Sequence, residues 1–200
     1  MPLDPVLIVL AAGNSSRMGF PKGLIEIEPG ETFLRRALGR FAESGGRRAI
    51  VLLGSHADIY QANRSEWDVD GIDVSIAINP EPSRGQFSSL RIAASMLAIG
   101  ESAFVLPIDV PAPSARVWRG LAALPTFDAA IPSFKGRGGH PVWLSPGFCM
   151  RIVNAEDGTR LDQMIRELPT QTRRNVEFNE PSLILNVNTP RDLSRASLSP

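Results

Sequence analysis

Short apolar runs that read as buried strands alternate along this chain with stretches of helical period, and this alternation narrows the fold most. Val6-Leu7-Ile8-Val9-Leu10 is the first such run, and Ile50 to Leu53 follows a helix-period segment from Phe33 to Phe41. Ile72 to Ile78 alternates apolar and polar residues. Phe87 to Ile99 carries apolar residues at helical spacing and stops at Gly100, a C-cap residue. Ala103 to Leu106, Ala129 to Ile131, Val142 to Leu144 and Leu183 to Leu185 complete the expected strands. Strands alternating with helices build βαβ units and a mainly parallel sheet. The expectation is one three-layer α/β/α Rossmann-like domain across residues 1–200, and a 43% hydrophobic fraction supplies the core for it.

The end of the first run is the chain's most informative segment: Leu10-Ala11-Ala12-Gly13-Asn14-Ser15-Ser16-Arg17-Met18-Gly19-Phe20-Pro21-Lys22. Small residues let backbone approach a ligand, and turn amides can point at an anion. Arg17 and Lys22 add charge-assisted bonds to phosphate oxygens. A strand end offering amides, hydroxyls, an Arg and a Lys suits a nucleoside triphosphate. Two other phosphate loops are excluded by spacing. Gly13 and Gly19 stand one residue too far apart for a P-loop, with Phe20 in place of its Lys. The dinucleotide fingerprint needs a second Gly that the turn lacks.

Composition excludes several function classes. The formal net charge is zero, so no general attraction to nucleic acid or anionic membrane is expected, and any cationic function must be local. Cys149 stands alone, which removes an intramolecular disulfide and a Cys-cluster zinc site. No apolar run approaches about 18 residues. Met1-Pro2-Leu3-Asp4-Pro5 lacks the basic region of a signal peptide, so a cytoplasmic protein is expected.

Four later segments have the residues for site chemistry. Asn79 to Leu90 joins a strand end to a helix start, where Gly85, Ser88 and Ser89 offer amides and hydroxyls to sugar or phosphate; ordinary capping by Ser88 is the competing explanation. Asp109, in Leu106-Pro107-Ile108-Asp109-Val110-Pro111, follows a buried strand and suits Mg²⁺, which takes one or two carboxylates plus phosphate oxygens and waters. In Asn186 to Asp192, Thr189 reads as an N-cap, Pro190 as the first helical residue and Asp192 as its capping-box partner, while Asn188 has no such duty. In Arg137-Gly138-Gly139-His140-Pro141-Val142, Pro141 biases His140 toward an extended conformation, and Arg137 with the loop amides could hold an anionic acceptor. A lone His is more often structural than catalytic.

The ordered pattern LAAGxSxRMGxPK resembles the opening signature of the MobA-like nucleotidyltransferases, most of all their molybdenum cofactor cytidylyltransferases. The resemblance runs from about Leu7 to Asp192. It implies a nucleotidyltransferase (GT-A-like) fold and transfer of a nucleoside monophosphate, CMP from CTP, to the phosphate of a molybdopterin-type acceptor with release of pyrophosphate. Leu10, Ala11, Ala12, Gly13, Ser15, Arg17 and Lys22 are then nucleotide-binding, with Asn79, Gly85, Ser88 and Ser89 lining base and ribose. Asp109 and Asn188 become the Mg²⁺ ligands; Arg17, Lys22 and Asp109 carry the catalysis; Arg137, Gly139 and His140 lie on the acceptor side. Glu156 stands where the family's G-D-x-G-A-R segment has Asp, a weaker match. Ala11-Ala12-Gly13 resembles the CTP-using members, whereas Asn188 resembles the guanylyltransferases. The alternatives are a guanylyltransferase for the same cofactor, a sugar- or polyol-phosphate nucleotidyltransferase, and a non-catalytic chaperone that inserts cofactor into a client molybdoenzyme. Intact Arg17, Lys22 and Asp109 argue against the last.

Overall fold

The computed structural model describes residues 5–13, 19–124, 126–189 and 192–193. In chain order, β1 is Val6–Ala11, β2 Glu26–Glu28, β3 Glu31–Thr32, α1 Phe33–Glu43, β4 Arg48–Leu53, α2 Ala57–Ala62, β5 Asp73–Ile78 and α3 Gln86–Ala94. There follow β6 Ala103–Pro107, α4 Ala115–Ala122, β7 Ala129–Phe134, β8 Arg137–Gly138, β9 Val142–Leu144, α5 Pro146–Val153, α6 Leu161–Arg166 and β10 Arg173–Glu177. The main sheet runs β10-β7-β9-β6-β1-β4-β5, with β8 paired to β7. β1 pairs parallel with β4 and β6, β4 with β5, and β7 with β10; β9 runs antiparallel between β6 and β7. The expected α/β fold with a mainly parallel sheet is therefore present.

β1 shows why the sheet is central. All six of its residues are buried, as expected for a parallel strand covered on both faces. Leu7, Val9 and Ala11 enter one core with Phe33, Leu34, Ala37, Leu38 and Phe41 of α1 and Val117, Trp118 and Leu121 of α4. Val6, Ile8 and Leu10 enter the other, with Leu90 and Ala93 of α3 and Phe148, Cys149 and Ile152 of α5. The period of two in the strand thus feeds two helical layers. On the first face, Trp118 meets Phe41 and Phe104 at ring-centroid distances of 5.5 and 5.1 Å. Helix starts follow local chemistry: Thr32 accepts the Arg35 N–H at 3.1 Å, and Ser145 accepts that of Phe148 at 3.1 Å before Pro146 at the first helical position.

Two expectations need correction, and one strand was missed. Leu183 to Leu185 is not a strand: Pro181–Ile184 forms a 3₁₀ turn, and the Leu183 carbonyl accepts the His140 N–H at 3.0 Å. Pro181 cannot donate to a ladder. The outer strand is instead β10, whose Arg173, Arg174, Asn175 and Glu177 hide it from an apolar-run search; charged residues are what an edge strand tolerates. The helix begun near Phe87 ends at Ala94, five residues early, where the Ser95 hydroxyl donates to the Ile92 carbonyl at 2.8 Å.

Candidate active site

The strand order reverses at β1: the chain moves outward through β4 and β5, then returns to place β6 on the other side of β1. Open parallel sheets bind ligands at the carboxyl ends of strands at such a switch point. β1 ends there at Ala11, β6 at Pro107 and β5 at Ile78, so the loops carrying Lys22, Asp109 and Asn79 share one edge. Backbone bonds continue past the strands. Ile108 N–H donates to the Leu10 carbonyl at 3.1 Å, and Val187 N–H to the Asp109 carbonyl at 2.7 Å. The second bond draws the C-terminal segment beside Asp109.

Asn188 is held there by its neighbours. One Asp192 carboxylate oxygen accepts the N–H groups of Asn188 and Thr189 at 3.0 and 2.9 Å, while Thr189 Oγ1 accepts the Asp192 N–H at 3.3 Å. This is the reciprocal capping arrangement expected of Thr189 and Asp192; Pro190 lies outside the described residues. Lys22 then joins the two candidate metal ligands. Its Nζ donates to Asn188 Oδ1 at 2.8 Å and lies 4.0 Å from Asp109 Oδ2. The Lys22 side chain is 16% exposed and that of Asp109 29%, so the cluster is partly shielded yet open to a ligand.

Lys22 is placed from below by a buried tyrosine. Gly23 N–H donates to the Tyr60 hydroxyl at 3.0 Å, and a Cβ at Gly23 would lie 2.7 Å from the Tyr60 ring, so only Gly fits. The Trp67 indole in turn donates to the Tyr60 carbonyl at 2.9 Å, and burial pushes the Tyr60 phenol up to about 12. Tyr60 was not legible as a site residue; its role depends on where α2 packs. Leu10, Ala11 and Ala12 are buried at the strand end, and Gly13 is exposed beyond them. Ser15 and Arg17 lie outside the described residues.

Asn79 is buried and fully engaged. Its amide donates to the hydroxyls of Ser88 and Ser89, each at 2.9 Å, and its Oδ1 accepts the Glu81 N–H at 2.9 Å. Asn79 therefore ties the end of β5 to the first turn of α3. Gly85 precedes that helix, and no side chain caps its first N–H groups. Ser88 does not cap it; its hydroxyl donates to the Gly85 carbonyl at 2.8 Å. The exposed start of α3 thus keeps donors for an anion.

From this turn a cleft of about 1270 Å³ crosses the sheet face, floored by Leu10, Val105, Ile131 and Val142. Gly139 and His140 line it, and Arg137 stands beside them on the exposed β8. Gly139 is required by close approach, since a Cβ there would lie 2.0 Å from the Leu183 carbonyl. His140 is half-buried in the cleft wall, and desolvation of its imidazole pushes its pKa down, against the opposing influence of the Val105 carbonyl and the Asp109 charge. Its Nδ1 has no hydrogen-bond partner among the described residues. Asp109, Lys22 and Asn188 do not line this cleft, although Pro107, two residues before Asp109, does.

Two further features show roles that the sequence reading did not assign, although it named the Ala155–Arg160 segment as a weak match and a helix start; the helix begins only at Leu161. Arg160, Arg166, Arg173 and Arg174 line the cleft's far wall with one carboxylate, Asp162, among them. Asp162 pairs with Arg160 and Arg166 at 2.9 Å each. Asp157, beside the weakly matching Glu156, links the cleft's two rims. It pairs with Arg84 and, at 2.6 Å, with Arg91, whose other nitrogen donates to the Ala155 carbonyl at 3.0 Å. Arg91 above all, then Arg84, holds the Asp157 carboxyl below the usual range. Arginines spaced along a polar stretch gave no periodic signal.

Among the described residues no helix is long and apolar enough to cross a membrane, and no three His, Cys, Asp or Glu side chains cluster as a metal centre. The chain is 28% identical over 193 residues to the molybdenum cofactor cytidylyltransferase of Escherichia coli, covering 94% of this chain and 93% of that protein. Rv0371c of Mycobacterium tuberculosis superposes with a TM-score of 0.80 at 23% identity, covering 98% of this chain and all of that one, and is also solved in complex with manganese. A nucleotidyl transfer enzyme from Methanothermobacter thermautotroptrophicus superposes at 0.78 with 21% identity, covering 96% and 95% of the two chains. The model of the MobA-like NTP transferase domain matches residues 7–173, and the chain belongs to that family of nucleotidyltransferases.

Proposed function

We propose that the protein transfers CMP from CTP to the phosphate of a molybdopterin-type cofactor, with Mg²⁺, releasing pyrophosphate. The observation that carries this reading is the convergence of Lys22, Asp109 and Asn188 at the switch-point edge. The similarity to the Escherichia coli cytidylyltransferase supports the choice of nucleotide and acceptor.

Asp109 and Asn188 present hard oxygen donors, the kind Mg²⁺ takes alongside phosphate oxygens and water, so a divalent ion fits this pair. A structural relative has been solved in complex with manganese, which supports the use of a divalent ion. When bound, the ion supplies Lewis-acid polarisation of the α-phosphate. The residues of the chain do the rest. Lys22 and Arg17 neutralise the leaving pyrophosphate. Gly85 and the start of α3 orient the nucleotide. The acceptor phosphate is already anionic and needs no strong base, which agrees with a desolvated imidazole at His140 whose pKa is depressed. Gly139, Arg137 and the far-wall arginines position an anionic acceptor, so that much of the rate comes from orientation.

The base preference is assigned to Ala12, whose methyl stands where guanylyltransferases have Gly. Ala12 is buried in the core cluster on the α3 side of the sheet, two residues past Leu10, which lines the cleft. A guanylyltransferase is the second reading, favoured by Asn188. A client molybdoenzyme is a further proposed partner. Thermal shift in Mg²⁺ tests the binding half. The expected result is that CTP raises the Tm more than GTP does, and that Asp109→Asn removes most of the Mg²⁺-dependent part of that shift. A larger rise with GTP moves the assignment to the guanylyltransferase reading.

A further inference from the structure

Lys22 stands in an unexpected place for a phosphate ligand. Its ammonium bonds Asn188 Oδ1 at 2.8 Å and faces Asp109 Oδ2 at 4.0 Å, so it sits between the two oxygens assigned to the metal. The position is enforced rather than incidental. The Lys22–Leu24 turn is anchored by the Gly23–Tyr60 bond, Asn188 by Asp192, and Asp109 by its backbone bond to Val187. Lys22 is one of two lysines in a chain whose other basic side chains, histidines aside, are arginines. A compact ammonium fits a gap between two oxygens that a planar guanidinium does not.

We propose that the Lys22 ammonium is the resident cation of the nucleotide-free site, and that it excludes a free divalent ion until the nucleotide arrives. This rests on the assignment of Asp109 and Asn188 as metal ligands above. A divalent ion held by Asp109 would share a partly shielded site with the ammonium, 4.0 Å from that carboxylate, and there like charges repel strongly. Asn188 adds no charge to offset that. A nucleotide triphosphate resolves the conflict, because its phosphates bring several negative charges and alternative acceptors for Nζ. Lys22 then moves from Asn188 to a phosphate oxygen as the metal–nucleotide complex enters. The consequence is a binding order: the metal enters with the nucleotide, never ahead of it.

Manganese binding read by electron paramagnetic resonance tests this without turnover. Wild type, Lys22→Met, Lys22→Gln and Asp109→Asn with Lys22→Met are titrated with Mn²⁺ alone, and wild type with Mn²⁺ plus CTP. Far-ultraviolet circular dichroism and Tm establish that each variant is folded. The expected result is weak binding of Mn²⁺ alone to wild type and at least about tenfold tighter binding to Lys22→Met and Lys22→Gln. Adding Asp109→Asn should abolish that gain, and CTP should restore tight Mn²⁺ binding to wild type. Equal Mn²⁺ affinity in wild type and both Lys22 variants, including no binding in any, overturns the proposal while leaving the metal assignment standing. A gain that persists in the Asp109→Asn background overturns the metal assignment, and the proposal with it.

Discussion

The Tyr60 hydroxyl accepts the Gly23 N–H at 3.0 Å, joining α2 to the turn that presents Lys22. Both groups are buried, so the phenol is part of the site's support. Tyr60→Phe leaves the Gly23 N–H unpaired and costs about 1–3 kcal/mol of stability. Denaturant unfolding should report that loss. The rate of nucleotidyl transfer should fall as well, by less than in Lys22→Ala, because the turn loosens while the ammonium remains.

Lys22→Ala and Arg17→Ala should each lower kcat/KM by about 10²-fold or more, as for other preorganised charge contacts. Lys22 belongs to neither core cluster, so the unfolding midpoint of Lys22→Ala should stay near wild type. Near wild-type turnover in both would remove them from the catalytic machinery.

Asp157 joins the Gly158–Arg160 rim to Arg84 and Arg91. Exposed pairs contribute little to stability, so Asp157→Ala should barely move the Tm. It should instead free Arg84 and the Gly85 turn, raising KM for the nucleotide by roughly 2–10-fold with a smaller change in kcat. Steady-state kinetics with varied nucleotide separates the two.

Burial lowers the His140 pKa from its ordinary 6.5. The unfolded chain therefore takes up this proton before the folded protein does. Stability should be lost as pH falls below 6.5, until the lower folded-state pKa is passed. His140→Gln removes that contribution, so its unfolding free energy should depend less on pH below the ordinary 6.5. Urea titrations at several pH values measure the slope; an unchanged slope would mean the imidazole is not held neutral.

Much of this site was legible because its residues follow strand ends. Val6–Ala11 and Ala103–Pro107 are continuous apolar runs, so Lys22 and Asp109 could be assigned to one sheet edge from sequence. Thr189 and Asp192 were legible because capping is local chemistry. Tyr60, Asp157 and the far-wall arginines were not, since each acts across contacts that packing alone decides. β10 was hidden by its charge, and Leu183 misled because an apolar triplet also suits a buried turn. Asn79, expected to line the nucleotide, proved to spend its amide on Ser88, Ser89 and Glu81.

The central claim is that this site releases pyrophosphate from CTP in preference to GTP. Its most direct test is kcat/KM for pyrophosphate release with each nucleotide, in Mg²⁺ with molybdopterin cofactor as acceptor, for wild type and Ala12→Gly. The expected result is a preference for CTP of roughly 10–200-fold, the range of pocket discrimination by a methyl group, reduced in Ala12→Gly with little loss toward CTP. Preference for GTP in the wild type, or acceptor-dependent pyrophosphate release with neither nucleotide, would contradict the account.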